Sequence, residues 1–377
     1  MDDQAFRFHV REWLEANFPE EMRFPPRRLN FDQAMGWHKK LNEQGWVAPG
    51  WPAEHGGMGL SPYQQIIFSE ELDRVGAFVI PSFGVTMLGP LLLGYGTDEQ
   101  RAEYLPKILC GEHIWCQGYS EPGAGSDLAS LRMSAEVDGD DYIVNGQKTW
   151  TTMAQQANMI FLLVRTDKEA KKQKGISFLL VPMDTPGITV REIDNIGGYS
   201  EFAEVFFDEV RVPRTNMVGA VNQGWTMAKA LLGAERILLG SPKLAKFPLQ
   251  RLQAMANDFG LFDDPVFKER FTKLHMDVED SVAVYIRMLE VMRRGEQLGP
   301  EISILKLAVT EMFQQVTDLI LDAAGEFAGT ESVLPLSDGT SYKPVNTYYL
   351  SRPSTIYGGS SQVQRNILAK AVLKLPG

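Results

Sequence analysis

The sequence predicts an α+β protein with a helical N-terminal domain over residues 1–114, a strand-rich middle domain over residues 115–220 and a helical C-terminal domain over residues 221–377. Two changes of periodicity carry this prediction. Apolar residues recur at helical spacing in the first and last parts, whereas strand-like alternation and turn residues occupy the middle. The order of elements lacks the strand–helix alternation of a doubly wound, nucleotide-binding sheet.

The composition excludes several classes of protein. With 377 residues, 44% of them hydrophobic and 23% charged, the chain has the make-up of an ordinary soluble globular protein with two or three domains. The net charge of −11 argues against nucleic acid as a partner. No apolar run is long enough for a membrane span.

The sequence shows no targeting or metal-binding signal. The first ten residues, MDDQAFRFHV, are acidic and lack the apolar core of a signal peptide. Cys110 and Cys116 are too few for a disulfide scaffold, and with five histidines and no HxxxH or CxxC motif no metal site is predicted. We therefore expect a cytoplasmic protein with reduced cysteines.

Apolar spacing predicts helices in both outer domains. In the N-terminal domain, residues 32–44 and 64–75 repeat apolar residues at helical spacing. In the C-terminal domain, long stretches with the same pattern predict helices over residues 226–239, 264–294, 301–325 and 361–373. Several long helices with short links favour a bundle.

The middle domain shows the signature of antiparallel strands. A turn at residues 138–140 joins two short strands, and Asn145-Gly146 predicts a type I′ hairpin turn. The predicted strands cover residues 135–137, 142–144, 148–152, 159–165, 176–182 and 204–212. Hairpins joined in this way predict a small β-barrel or a sandwich.

Three short segments combine glycine with hydroxyl residues. SEPGAGSD, residues 120–127, contains a tight turn that offers backbone N–H groups and hydroxyls to a cofactor, although Gly-x-Gly alone indicates only a turn. NGQKTWTTM, residues 145–153, follows in the same domain. In YGGSSQ, residues 357–362, adjacent glycines permit positive φ and the serines can cap a following helix.

These segments resemble the FAD-dependent acyl-CoA dehydrogenases, whose middle domain carries a TEPGAGSD segment followed by an NGxKxWITN hairpin. The resemblance covers essentially the whole chain in order, including YGTDEQ at residues 95–100 and VRVP at residues 210–213. It implies a helical N-terminal domain, a middle antiparallel β-barrel and a C-terminal four-helix bundle. It also implies α,β-dehydrogenation of an acyl-CoA thioester to the trans-2-enoyl-CoA, with FAD as cofactor.

The resemblance implies which residues contact FAD. Tyr119 contacts the flavin through its backbone, Ser120 lies beside it, Trp150 stands next to the ring, and Thr152 hydrogen-bonds near the reactive nitrogen. A reduced flavin requires such a flat apolar wall and a few donors. The other implied contacts are Ser126, which also lies near the substrate's pantetheine, and Ser360 and Gln362 at the FAD phosphates.

The position of the catalytic base separates branches of the family. Many members use the Glu of YEGTSQ, but here that position is Gly358, and the resemblance places Gly358 and Tyr357 at the substrate. A branch that includes isovaleryl-CoA dehydrogenase carries its Glu in an ER segment on an early C-terminal helix, which LGAERIL at residues 232–238 matches. We therefore expect Glu235 to take the α-proton and Arg236 to contact CoA.

The alternative interpretation of Glu235 is an ordinary helical glutamate facing solvent. Two observations favour the base instead. The residues around it are largely apolar, which predicts a buried helix, and the alternative carboxylate at position 358 is missing.

A further departure concerns the assembly. The family usually has an Arg three residues before a Phe-Gly pair, and that Arg reaches FAD in a neighbouring subunit. Here Ala256 precedes Phe259-Gly260 at that spacing. The change fits a heterotetramer that shares FAD sites between unlike, related subunits, and equally a homotetramer that holds FAD with other groups. The resemblance implies an electron-transfer flavoprotein as electron acceptor.

Two other functions stay open at this point. One is a flavin oxidase, monooxygenase or desulfinase-like enzyme of the same fold, against which Glu235 weighs. The other is a partner subunit whose own site is idle, which Gly358 and Ala256 favour and Trp150 opposes. The acyl group is not chosen by any feature of the sequence.

Overall fold

The computed structural model describes residues 1–23, 25, 29–77, 82–234, 240–296, 298–337 and 341–376, with the backbone alone for residues 232–234. Its contacts divide the chain into two compact units, Met1–Leu231 and Leu232–Gly377.

The first unit places helices before strands. Its helices are α1 (Asp3–Asn17), α2 (Phe31–Gln44), α3 (Pro62–Arg74), α4 (Gly89–Tyr95), α5 (Asp98–Leu109) and the start of α6 (Gly224–Ala234). Its strands are β1 (Trp115–Gly118), β2 (Ser134–Asp138), β3 (Asp141–Thr152), β4 (Met159–Arg165), β5 (Ile176–Pro182), β6 (Ile188–Ile193), β7 (Phe202–Pro213) and β8 (Met217–Val218). The helices predicted at residues 32–44 and 64–75 are confirmed as α2 and α3.

Local sequence explains where these helices begin. Asn30 caps α2 in a reciprocal capping box with Gln33, and Ser61 caps α3 in the same way with Gln64. Each box satisfies two backbone groups that the first helical turn would otherwise leave without partners. Gly45 ends α2 with a φ of 75°, a left-handed conformation that glycine adopts without strain.

A buried carboxylate joins α1 to α3. Glu71 on α3 is 1% exposed and accepts hydrogen bonds from Arg7 (3.0 Å), Arg11 (2.9 Å) and Arg74 (2.8 Å). Burial by itself would raise the pKa of Glu71, but the three guanidinium groups outweigh it and lower the pKa to about 2. The carboxylate is therefore charged and fully paired at neutral pH.

The strands form one eight-stranded sheet in the order β6-β7-β3-β2-β4-β5-β8, with β1 added on β4. The pairings of β4 with β1 and with β2 are parallel, and the other pairings are antiparallel. The predicted strands at residues 159–165 and 176–182 match β4 and β5. Strand β6 was not predicted, because its inward face carries only two apolar residues, Ile188 and Val190, before Glu192.

Strand β4 is apolar from Met159 to Val164, and both of its faces are buried. Phe161 and Leu163 pack into a core shared with the helices of this unit. Ile160 and Leu162, on the other face, pack into a second core made by β2, β3, β5 and β7. A strand enclosed on both sides loses the polar alternation of a half-exposed strand.

The predicted turn at Asn145-Gly146 is wrong. Strand β3 runs straight through these residues, and the hairpin turn lies between β2 and β3, where Asp138 pairs with Asp141. At Asn145-Gly146 the pairing of β3 with β7 shifts register, which marks a β-bulge. Asn145 spans the bulge, because its side chain donates to Glu209 Oε1 (2.7 Å) and accepts from Glu209 N (2.8 Å).

The second unit is helical. Its helices are α7 (Lys243–Asp258), α8 (Pro265–Arg293), α9 (Ser303–Ala324), α10 (Pro344–Ser351) and α11 (Ser361–Ile367), and a short ladder joins β9 (Leu334–Pro335) to β10 (Ser341–Tyr342). Helix α9 packs against α7, α8 and α10. The predicted helices at residues 264–294 and 301–325 are confirmed. Helix α7 was not predicted; it contains Pro248, a residue that usually ends or kinks a helix.

The observed class is α+β, with helical parts on either side of a strand-rich middle, as predicted. Among the residues that the structure describes, no helix combines the length and the apolar character that crossing a membrane would need.

Candidate active site

The segments SEPGAGSD and NGQKTWTTM of the middle domain lie side by side. The backbone N–H of Thr149 in β3 donates to the carbonyl of Ser120 at 2.9 Å. Ser120 follows closely after β1, and the turn after it is closed by two backbone hydrogen bonds between Glu121 and Ala124, each 3.0 Å. The contact brings together the start of SEPGAGSD and the middle of NGQKTWTTM.

A buried ion pair lies directly beneath this contact. The ammonium of Lys148 is 0% exposed and donates to Glu121 Oε1 at 2.9 Å. It also donates to the carbonyls of Tyr119 (3.2 Å) and Leu163 (2.8 Å). Burial lowers the pKa of Lys148 to about 8, while the charge and hydrogen bond of Glu121 oppose that shift.

Neither Lys148 nor Glu121 was given a role in the sequence analysis. The sequence did contain a signal for this pair. Two opposite charges stand in the two motifs, and Lys148 lies in a predicted strand. A buried charge is rare unless it is paired, so a charged residue at a core position indicates a partner.

The end of β3 carries a strained and exposed aromatic residue. Trp150 has a φ of 57° and is 62% exposed, and Met153 has a φ of 53°. The pairing with β7 shifts register between Lys148 and Thr151, so Trp150 lies in a second β-bulge. Its ring meets Phe202 edge-on at 6.0 Å between centroids. Left-handed φ in a bulky residue is uncommon and concentrates at functional sites.

Hydroxyl groups lie on the same two segments. Ser120 and Thr152 are half-buried and Ser126 is exposed, and their side-chain hydroxyls make no hydrogen bond to any residue that the structure describes. The Tyr119 side chain points the other way. It is 5% exposed and meets Phe161 edge-on in the core, so only its backbone faces the motif contact.

The C-terminal segment forms a tight loop before α11. Gly358 and Gly359 have φ values of 63° and 85°, and the Gln364 side chain donates to the carbonyl of each, at 3.0 and 3.2 Å. A Cβ on Gly359 would lie 2.6 Å from Gln364 Nε2. Ser360 caps α11 by accepting from Val363 N at 3.3 Å, which confirms that the serines begin a helix.

Two residues of this loop that are predicted to contact a ligand have exposed side chains. Gln362 is exposed on the first turn of α11, and Tyr357 is 39% exposed. Gly358, next to Tyr357, has no side chain and therefore supplies no carboxylate.

A buried lysine anchors the segment that leads into this loop. Lys306 on α9 is 0% exposed and donates to the Ser354 carbonyl at 2.9 Å. Gln314, two turns further along α9, donates to the carbonyls of Ser351 (3.2 Å) and Arg352 (3.1 Å). Burial lowers the pKa of Lys306 to about 8, partly opposed by the charge of Glu311.

Glu235 and Arg236 lie outside the described residues. The helix that precedes them, α6, is described to Ala234, and its Ala228 and Leu231 side chains are 0% and 7% exposed. The apolar character expected for the start of this helix is thus matched by burial.

Position 256 lies in the interior of the second unit. Ala256 is 0% exposed and packs in the core with Leu252 and Val309. The position that the spacing pairs with the family's Arg therefore holds a small residue in the core of this unit.

Known proteins resemble the chain along its whole length. Residues 1–112, 116–210 and 222–373 match the N-terminal, middle and C-terminal domains of acyl-CoA dehydrogenases, respectively. The chain is 38% identical to the acyl-CoA dehydrogenase IpdE1 of Mycobacterium tuberculosis, an alignment that covers 100% of this chain and 98% of that protein. The chain belongs to the acyl-CoA dehydrogenase family. It is therefore a flavoprotein oxidoreductase of that family.

Solved structures of acyl-CoA dehydrogenases (ACADs) share the fold. The Tcur3481–Tcur3483 steroid ACAD superimposes with a TM-score of 0.88 at 30% identity, with 100% of each chain covered. The ChsE4–ChsE5 complex of M. tuberculosis gives a TM-score of 0.85 at 31% identity, covering 100% of this chain and 97% of the other. Both are heteromeric complexes.

The residues at the end of β3 fit the flavin that the family uses. An exposed indole offers a flat apolar surface, and the hydroxyls of Ser120, Ser126 and Thr152 offer donors on the adjoining segments. The backbone N–H of Ser120 adds another donor, because it makes no hydrogen bond to any described residue. A heteroaromatic ring with several acceptor atoms requires this combination of wall and donors.

Proposed function

We propose that this acyl-CoA dehydrogenase oxidises the Cα–Cβ bond of an acyl-CoA thioester, with FAD held by the backbone of Tyr119 and by Ser120, Ser126, Trp150 and Thr152. Ser360 and Gln362 are the further proposed contacts to FAD. The observation that carries the proposal is the 2.9 Å hydrogen bond between Thr149 N and the Ser120 carbonyl, which joins the two motifs beside the exposed Trp150.

The reaction breaks one C–H bond at Cα and one at Cβ and forms a C=C bond. In this proposal the Glu235 carboxylate takes the Cα proton. Ser120, Trp150 and Thr152 would hold FAD, which would supply the acceptor for the hydride, and so for both electrons, that leave Cβ. Ser126, Arg236, Tyr357 and Gly358 are the proposed contacts to the substrate.

Glu235 is the proposed base for two reasons. Gly358 cannot hold a proton, so the loop before α11 offers no carboxylate at that position. The described part of α6, which precedes Glu235 in the sequence, has buried side chains at Ala228 and Leu231, and a dehydrogenase of this kind needs a carboxylate to take the α-proton.

We propose a bulky, polycyclic acyl group as the substrate class and a second, related chain as the partner. Support comes from the 30% identity to a structure described as a steroid ACAD and from the heteromeric character of both similar complexes. An electron-transfer flavoprotein is the proposed electron acceptor. A glycine at position 358 is compatible with a large substrate because it adds no side-chain volume.

Anaerobic bleaching of bound flavin tests the activity. The purified protein is mixed with linear, branched and steroid-derived acyl-CoA thioesters, and the flavin absorbance is followed. We expect bleaching by at least one polycyclic thioester. A protein that binds flavin but is bleached by none of the panel, or one that consumes oxygen and oxygenates its product, would overturn the proposed reaction.

A substitution of the base sharpens this test. Glu235→Gln should reduce the rate of bleaching by at least about a thousandfold while FAD stays bound, since the α-proton then has no acceptor. The matched control is Glu269→Gln, which removes an exposed carboxylate on α8. Bleaching by Glu235→Gln at the wild-type rate would refute the assignment of the base.

Co-purification and the mass of the purified complex test the proposed assembly. The tagged chain, purified from its native source, should elute with a related chain of similar size in equal amounts. A tetramer of the tagged chain alone that holds FAD and is bleached by substrate would overturn the heteromeric proposal.

A further inference from the structure

The Lys148 ammonium joins β3 to two other segments of the first unit, residues 119–121 and β4. Its three protons are matched by three acceptors, namely the Tyr119 carbonyl at 3.2 Å, the Leu163 carbonyl at 2.8 Å and Glu121 Oε1 at 2.9 Å. The acceptors lie 29, 15 and 27 residues away in sequence. A single side chain on β3 therefore ties residues 119–121, which include the start of SEPGAGSD, to strand β4.

The Glu121 carboxylate also has several hydrogen-bond partners. Besides Lys148, it accepts from the backbone N–H of Arg132 at 2.7 Å and from that of Met133 at 3.0 Å. Every charged atom of the pair thus has a partner, which is the condition under which a buried ion pair is tolerated. Replacing such a pair with apolar residues of similar volume often leaves stability unchanged or raises it, so stability alone does not explain the pair.

The pair sets the direction of one peptide group. Because the carbonyl and the following N–H of a trans peptide point to opposite sides, the hydrogen bond from Lys148 to the Tyr119 carbonyl directs the Ser120 N–H away from the core. That N–H makes no hydrogen bond to the described residues. The Ser120 carbonyl is held in turn by Thr149 N at 2.9 Å, next to Trp150.

We propose that Lys148 is a positioning residue that holds the Ser120 N–H and Trp150 in place for the flavin, through the Tyr119 carbonyl and with Glu121 as its counter-ion. The inference rests on the proposed function, because it assumes that flavin occupies this face. Lys148 is buried and acts through the backbone, so its loss should change the affinity for FAD and the flavin spectrum even where the fold is intact.

The test separates positioning from stability by removing the lysine alone or both charges together. Lys148→Met leaves Glu121 buried and unpaired, so the apoprotein should melt at a lower temperature and bind FAD at least about tenfold more weakly. Lys148→Met with Glu121→Met should recover part of the melting temperature, since the buried carboxylate without its counter-ion is gone, although the N–H groups of Arg132 and Met133 lose their acceptor. FAD binding by this double variant should stay at least about tenfold weaker, with a shifted flavin absorbance maximum, because the Tyr119 carbonyl is no longer held.

The matched control is Lys172→Met, which removes an exposed ion pair to Asp127 (2.8 Å) in the same region. This variant should melt and bind FAD like the wild type. Affinity is measured by titrating apoprotein with FAD and following the quenching of flavin fluorescence.

The outcomes distinguish the two proposals. If wild-type protein binds FAD and the folded double variant binds it equally tightly with an unchanged spectrum, the positioning role is wrong and the proposed function stands. If the wild-type protein, purified together with its related chain, binds no FAD, the proposed function fails, and the positioning role fails with it.

Discussion

The Lys306 ammonium donates a 2.9 Å hydrogen bond to the Ser354 carbonyl, and both residues are 0% exposed. A helix of the second unit thereby holds the backbone three residues before the Tyr357–Gly358 pair. In the first unit, Lys148 holds the Tyr119 carbonyl in the same manner. In each case a buried cation supports a segment that is predicted to meet a ligand, and burial lowers the pKa of each ammonium to about 8.

Lys306 should make the stability of the protein depend on pH in the alkaline range. Its pKa is lowered from 10.5 to about 8 in the folded state, so between these values the unfolded chain binds a proton that folded Lys306 has released. Stability therefore rises with pH over this window. The melting temperature of wild type relative to Lys306→Met should increase from about pH 7.5 to about pH 9.5.

The control for this prediction is Lys268→Met, which removes an exposed lysine on α8. Its melting temperature relative to wild type should stay constant over the same pH range. A constant difference for Lys306→Met as well would mean that Lys306 titrates at its ordinary pKa.

Gly359 should tolerate no side chain. Its φ of 85° disfavours any L-residue, and a Cβ would lie 2.6 Å from Gln364 Nε2. Gly359→Ala should lower the free energy of unfolding by about 1–2 kcal/mol, as measured by urea denaturation. Gly329→Ala is the control, because Gly329 is exposed and no described atom lies within 4 Å of the place that an alanine methyl would occupy. Equal stability of the two variants would contradict the prediction.

We predict that the backbone of Trp150 is strained and that its ring contributes to FAD binding. Its φ of 57° is unfavourable for tryptophan, and the side chain is 62% exposed. Trp150→Gly apoprotein should be more stable than Trp150→Ala apoprotein by about 1 kcal/mol, because only glycine relieves the left-handed strain. Both variants should bind FAD more weakly than wild type.

Chemical denaturation and FAD titration of the same two variants check this prediction. The difference between glycine and alanine reports the strain, whereas the loss shared by both reports the missing ring. If alanine proved as stable as glycine, Trp150 would not be strained in solution.

Glu71 should contribute stability at neutral pH that disappears in acid. Its folded pKa is lowered to about 2 from 4.5, so the contribution is complete above 4.5 and is lost as the pH falls towards 2. Glu71→Gln should cost about 3 kcal/mol at pH near 7, since it leaves three guanidinium groups without their shared carboxylate. The difference from wild type should shrink below about pH 4.

Glu70 provides the comparison for this variant. It makes one ion pair, to Arg7 at 2.6 Å, and its side chain is 28% exposed. Glu70→Gln should cost less than about 1 kcal/mol. Urea denaturation of both variants at neutral and acidic pH decides the matter, and a pH-independent cost for Glu71→Gln would show that its pKa is not lowered.

Much of the fold could be predicted from the sequence, because buried positions are apolar and follow the spacing of the helix or strand that carries them. The strands β4 and β5 are continuous apolar runs bounded by polar and turn residues, and α8 and α9 repeat apolar residues over many turns. Helix α7 was not predicted because it contains Pro248, which usually ends a helix, and β6 was not predicted because its apolar face holds only Ile188 and Val190. Asn145-Gly146 misled because the same dipeptide suits a tight turn and a bulge, and only pairing with β7 distinguishes the two.

By itself, the sequence determined the order of helices and strands, the segments SEPGAGSD, NGQKTWTTM and YGGSSQ, and the absence of a carboxylate at Gly358. These features are local, since they depend on residue type and on neighbours within a few positions. Only the tertiary structure decided that Thr149 meets Ser120, that Lys148 and Glu121 form a buried pair and that Trp150 is exposed in a bulge. The Lys148 contacts join residues 27 and 29 positions apart, and the bulge depends on pairing with the more distant strand β7. A one-residue shift of register would reverse which side chains face the core.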